Sequence, residues 1–106
     1  MLPVKIAPLV DQKLDELFDV LLEENYFSDE ENSRAYCNNI RTFIKSLPNH
    51  KYFSTKNKLW GTYYAAYKAN RRTTWYITFD TVAGKGYLVR NIFNNHTEEY
   101  PRFING

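Results

Sequence analysis

His96 is the side chain in this sequence best suited to moving a proton near neutral pH, because the ordinary pKa of an imidazole lies there. Tyr100 follows four residues later, with a phenol that can donate a proton or stack on a flat ring. Arg72 and Arg90 carry planar guanidinium forks that match phosphate oxygens. Arg71, Lys56 and Lys58 add cations in the same half of the chain. Cleaving a phosphodiester without a metal needs these parts. A base takes a proton from the nucleophile, an acid protonates the leaving oxygen, and fixed cations stabilise the charged intermediate.

Each residue also has a plainer reading. His96 lies in Asn94-Asn95-His96-Thr97, where a loop histidine can hydrogen-bond its own turn. Arg71-Arg72 suits a solvated turn, Arg90 an ion pair or a carbonyl contact, and Tyr100 a core or partner-facing ring. Lys56 and Lys58 can simply solubilise a loop, and His50, after Pro48-Asn49, reads as loop. Two histidines and the single cysteine, Cys37, fall short of the usual ligand set of a structural zinc. No metal and no cofactor are expected. A lone cysteine also forms no intrachain disulfide, which fits a reducing cytoplasm.

The elements that position these residues belong to one domain, since 106 residues leave no room for a second packed core. An aromatic content of 17% is far too high for a solvated coil. No apolar run approaches the roughly 18 residues that span a bilayer. The N-terminal stretch lacks a basic segment followed by an apolar one, so no signal peptide and no membrane contact are expected. Charge divides the chain. Residues 1–50 hold nine acids and five bases, a net of −4, whereas residues 51–106 hold nine bases and three acids, a net of +6. A basic, aromatic-rich half points to a polyanion such as nucleic acid, or to an acidic protein; alternatively an acidic helical half faces a basic sheet half.

The periodicity supports that division. Leu2 to Ile6 reads as a short edge strand, with Val4 and Ile6 on one side, and Pro8 as a break after it. Val10, Leu14, Leu17, Phe18, Leu21 and Leu22 recur at three- and four-residue steps, which predicts a helix from about Val10 to about Glu24. Ser28-Asp29-Glu30-Glu31 is a capping box for a second helix, which Pro48 ends. Tyr26 and Phe27 staple the helical hairpin. The acids of this half thus have structural duties and need no catalytic one. From Leu59 the period becomes that of strands: Leu59 to Lys68, a turn at Asn70-Arg71-Arg72, Thr73 to Asp80, a hairpin turn at Ala83–Gly86, and Tyr87 to Phe93. Alternation puts Trp75, Ile77 and Phe79 on a core face, and Arg72, Thr74, Tyr76 and Thr78 opposite. It groups Arg90 with Leu88 and Ile92. The tail from Asn94 reads as loop with a short final element.

Helices grouped before strands predict an α+β protein: an N-terminal helical hairpin packed on a small, mainly antiparallel sheet, in the order β-α-α-β-β-β. This order resembles the RelE/ParE superfamily of bacterial toxins. Three segments carry the likeness: the hairpin ending in Ser46-Leu47-Pro48, the basic-then-aromatic strand Arg71–Phe79, and the last strand with its sequel, Leu88–Tyr100. The resemblance implies the toxin of a type II toxin–antitoxin pair, neutralised by a cognate antitoxin. RelE-like members cut messenger RNA on the ribosome without a metal; ParE-like members block DNA gyrase without catalytic residues. On the first alternative His96, Tyr100, Arg72 and Arg90 are the catalytic candidates, and Lys56, Lys58 and Arg71 the RNA-binding ones. Glu98 and Glu99 must then point away from phosphate. A further alternative is a non-toxic nucleic-acid-binding module that stacks bases on the strand aromatics.

Overall fold

The computed structural model describes residues 3–23 and 30–105. The capping box at Ser28, the staple of Tyr26 and Phe27, and Leu2 lie outside the described residues. The elements run β1 (Val4–Ile6), α1 (Pro8–Glu23), α2 (Glu30–Lys45), a 3-10 turn at Leu47–Asn49, β2 (Phe53–Ser54), β3 (Tyr63–Lys68), β4 (Thr74–Val82), β5 (Gly86–Asn94) and α3 (Glu99–Asn105). They form the expected α+β fold, in which the two N-terminal helices pack on a five-stranded, mainly antiparallel sheet. The strand order is β1-β5-β4-β3-β2, with β1 parallel to β5 and every other pair antiparallel. None of the described helices is long and apolar enough to cross a membrane.

Helix α1 starts earlier than its periodicity suggests. Pro8 does not break the chain but opens the helix, where its fixed φ and missing N–H are harmless. Ala7 caps the turn: its carbonyl accepts from Val10 and Asp11. Val10 and Leu14 of α1, and Ile40 and Ile44 of α2, meet Ala65, Trp75, Ile77, Phe79, Val89 and Ile92 of the sheet in one core. Each such aliphatic side chain contributes about 1.5–3 kcal/mol on burial. Acids on the helices serve structure as expected. Arg41 of α2 reaches Asp11 at 2.8 Å and Asp15 at 3.2 Å on α1.

The first predicted strand of the basic half is shorter than its composition suggested. Leu59 and Trp60 lie in a turn, held by Asn57, whose Oδ1 accepts from the Leu59 N–H and whose carbonyl accepts from the Trp60 N–H. β3 begins only at Tyr63, and β2, two residues long, has no periodicity to reveal it. A β-bulge also regroups Arg90. Thr78 pairs with Asn91 but Phe79 pairs with Val89, so Arg90 is the extra residue. Val89 and Ile92 therefore enter the core, while Leu88 and Arg90 are exposed.

The sheet face away from α1 and α2 is not a bare polar surface. The tail folds into α3, which packs against it. Phe103 of α3 packs on Tyr64, Tyr76, Phe93 and Trp60, with ring centroids 5.0, 5.7, 5.1 and 5.9 Å away. Lys13 of α1 fastens α3 from the edge of the sheet. Its ammonium donates to Asn91 Oδ1 (2.7 Å), to the Ile92 carbonyl (3.1 Å) and to the Glu99 carboxylate (3.1 Å). At the other end of β5, Gly86 has φ +135°, and a Cβ there would stand 2.3 Å from the Pro3 carbonyl oxygen. Only glycine lets β1 lie this close, and the Pro3 carbonyl accepts from the Tyr87 N–H.

Candidate functional site

Two asparagine-built turns meet at one end of the sheet. Before β4, Asn70 Oδ1 accepts from the N–H groups of Arg72 (2.9 Å) and Thr73 (3.0 Å), closing a tight turn around Arg71. After β5, Asn94 Oδ1 accepts from the His96 N–H (2.8 Å), and the Asn94 carbonyl accepts from the Thr97 hydroxyl (2.9 Å). Asn95 braces the two. Its Oδ1 accepts from the Thr74 N–H at 2.9 Å and its Nδ2 donates to the Arg72 carbonyl at 3.0 Å.

This bracing brings Arg72 and His96 to one groove. The groove holds about 470 Å³ and is lined by Leu17 and Val20 of α1, Tyr36 of α2 and Trp75 at the end of the sheet. His96 Nε2 lies 3.2 Å from the Thr73 hydroxyl, a buried group that fixes the ring's direction. Trp75 is fixed too, because its indole N–H donates to the Tyr36 hydroxyl at 2.9 Å. Arg72 does not continue the alternation of β4. The strand begins at Thr74, and the turn swings Arg72 to the helix side, away from Tyr76 and Thr78.

The other candidates lie elsewhere. Tyr100 opens α3 on the opposite face, its ring 5.2 Å from that of Tyr76. Burial, and then the hydrogen bond with Tyr100, push the Tyr76 phenol up to about 12. Arg90 faces Asp80 at 3.3 Å on that same outer face. Burial alone would raise the Asp80 carboxyl; the Thr62 hydroxyl and amide, with Arg90, outweigh it and hold the carboxyl below its ordinary value. Lys56 donates to the Ile104 carbonyl at 2.6 Å, where a cation complements the C-terminal end of α3. Lys58 is exposed in the same loop. Arg71 is exposed at the tip of the Asn70 turn, next to Arg72. Glu99 is turned to Lys13 and Asn91.

The structure therefore brings Arg72 and His96 to one groove, leaves Arg71 exposed at the tip of the neighbouring turn, and places Tyr100, Arg90, Lys56 and Lys58 outside that groove. The two turns, at Asn70-Arg71-Arg72 and at Asn94-Asn95-His96-Thr97, are those the sequence suggested, and His96 does hydrogen-bond its own turn. What the sequence reading missed is the bracing of one turn by the other through Asn95, and the contact of Thr73 with His96. The signal for the turns was present as asparagines immediately flanking the strands, a common turn chemistry.

Comparison of the chain with protein-family models, curated proteins and solved structures finds no match. Chemically, the groove is lined by one imidazole and one guanidinium together with apolar side chains. That set can bind a phosphate ester and exchange one proton with it.

Proposed function

We propose that this chain is the toxin of a type II toxin–antitoxin pair of the RelE/ParE superfamily, and that it cleaves messenger RNA on the ribosome, without a metal, through the Arg72–His96 groove. The helical hairpin on a mixed sheet is the arrangement this reading requires. The observation that carries it is the sharing of one groove by Arg72 and a His96 ring oriented by Thr73. In this mechanism a ribose 2′-oxygen attacks the adjacent phosphorus and the bond to the 5′-oxygen breaks. His96 takes the 2′-hydroxyl proton, water protonates the leaving 5′-oxygen, and a 2′,3′-cyclic phosphate remains. Arg72, with Arg71 beside it, neutralises the extra charge on the phosphorane. The protein works in the cytoplasm, and a cognate antitoxin covers its basic surface. Mapping messenger RNA 5′ ends in expressing cells tests the reading. New ends that vanish in His96→Ala support it, and ends that persist in that variant refute it.

One observation favours a second reading, ParE-like inhibition of DNA gyrase without catalysis. Of the two proton carriers that the sequence singles out, His96 alone lines the groove, since Tyr100 lies on the other face. Expression would then damage DNA and leave messenger RNA intact.

A further inference from the structure

Among the described residues, the most exposed large apolar side chain is Leu59, at 83%. It does not sit on a loose loop. Its N–H donates to Asn57 Oδ1 at 2.9 Å, the Trp60 N–H to the Asn57 carbonyl at 3.1 Å, and the Gly61 N–H to the Lys58 carbonyl at 3.1 Å. The Thr55 hydroxyl closes the base of the turn on the Gly61 carbonyl. A braced turn thus holds an aliphatic side chain out in water, with the cations Lys56 and Lys58 on the same turn. A hollow of matching chemistry lies on the other side of the sheet. It measures about 280 Å³, and its largely apolar lining includes Leu14, Leu17 and Val20 of α1 and Ile92 of β5. We infer that the Leu59 turn of one copy docks in this hollow on a second copy, so that the chain associates head to tail.

Charge fits the same pairing. At the rim of the hollow Lys13 and Glu99 neutralise each other at 3.1 Å, and Glu16 adds a carboxylate. Glu23 stands two turns further along the same side of α1. Both acids are exposed, and neither has an ion-pair partner among the described residues. Lys56 and Lys58 bring the opposite sign with the turn. The two surfaces cannot meet within one chain. Trp60, next to Leu59, packs on Phe93 and Phe103 on the α3 side of the sheet, whereas the hollow opens beside α1. The contact is therefore between copies and heterologous, leaving a free turn at one end and a free hollow at the other. Nucleic acid would leave Leu59 unburied, and a lipid surface would leave the hollow empty; a second copy fills both. This docking is independent of the catalytic reading. It touches the same region, because Leu17, Val20, Trp75 and Asn94 line both the hollow and the Arg72–His96 groove.

Two variants separate the halves of the contact. Leu59→Asp removes the apolar tip and keeps the turn, which uses only the Leu59 N–H. Val20→Lys blocks the hollow and repels Lys56 and Lys58, at a position exposed enough for α1 to carry it. Glu16→Lys is a second hollow-side variant that serves if Val20→Lys does not fold, as read by circular dichroism. Sedimentation velocity then follows the wild type, each variant alone and equimolar mixtures, from micromolar to millimolar protein. The expected wild type grows past a dimer as concentration rises, and salt weakens the association. Each variant alone is a monomer. Mixing Leu59→Asp with either hollow-side variant gives a one-to-one dimer that grows no further, because the one intact turn has met the one intact hollow. Leu59→Ala weakens the wild-type association roughly tenfold or more, the order expected for one buried leucine. A wild type that stays monomeric at millimolar concentration overturns the proposal. So do variants that associate like the wild type, a wild-type dimer that stops at two, or mixtures that stay monomeric. A monomeric wild type that floats with phosphatidylglycerol vesicles, and ceases to in Leu59→Asp, also overturns it and assigns the turn to a lipid surface.

Discussion

His96 and Tyr100, one helical turn apart in sequence, face opposite sides of the sheet: His96 meets Thr73 at 3.2 Å on the helix side, and Tyr100 meets Tyr76 on the other, with rings 5.2 Å apart. The turn at Asn94 and the start of α3 between them cause the separation. Their roles therefore come apart. Tyr100→Phe removes the hydroxyl from Tyr76 and leaves the groove intact. Its expected effect is a fall of the Tyr76 pKa from about 12 towards the ordinary phenol value, read by ultraviolet titration.

That raised phenol pKa has a consequence for stability in base. A folded pKa above the unfolded one means that the folded state holds its proton more tightly. The contribution is complete below the unfolded value of about 10 and is lost as pH rises towards about 12. Denaturant unfolding between those limits should show a steeper loss in the wild type than in Tyr76→Phe.

Asp80 works in the opposite direction. Its carboxyl is held low by Thr62 and Arg90 against the effect of burial, so its contribution is present above the unfolded pKa and disappears as pH falls through the folded one. Asp80→Asn should destabilise by about 1–3 kcal/mol near neutrality. The gap to wild type should narrow below about pH 4 in pH-dependent urea melts.

Gly84 and Gly86 separate strain from collision within one hairpin. Gly84 has φ +73° and open space around it, so Gly84→Ala carries only the left-handed backbone cost of about 1–2 kcal/mol. Gly86→Ala also drives a methyl into the Pro3 carbonyl. It should destabilise clearly more, and amide exchange should show β1 released from β5.

Lys13 joins α1, β5 and α3 through one ammonium. Lys13→Met keeps the aliphatic stem but leaves Glu99 without its cation and the Ile92 carbonyl without a donor. A loss of about 1–3 kcal/mol is expected, with the largest rise in amide exchange in α3.

The fold was largely legible because its signals are strong and local. The apolar stripe from Val10 to Leu21 and the alternation of Trp75, Ile77 and Phe79 each have one periodicity that fits. The failures come from features that periodicity does not encode: side-chain hydrogen bonds at two turns, and one register shift. Asn57 holds Leu59 out of β3, the bulge regroups Arg90, and the Asn70 turn swings Arg72 to the helix side. The short final element was expected, but its helical form was obscure because its buried side chain is Phe103, whose partners come from distant strands and the loop before β3. Of the candidate site, the residue types were legible and their grouping was not.

The central claim is that the Arg72–His96 groove carries the activity. The most direct measurement is controlled expression in a bacterial host, following growth together with protein and DNA synthesis, for the wild type, His96→Ala, Arg72→Ala and Tyr100→Phe. Rapid arrest of protein synthesis that is abolished by His96→Ala and Arg72→Ala, and retained by Tyr100→Phe, is the predicted result. Arrest that survives both groove variants, or that fails only in Tyr100→Phe, contradicts the account.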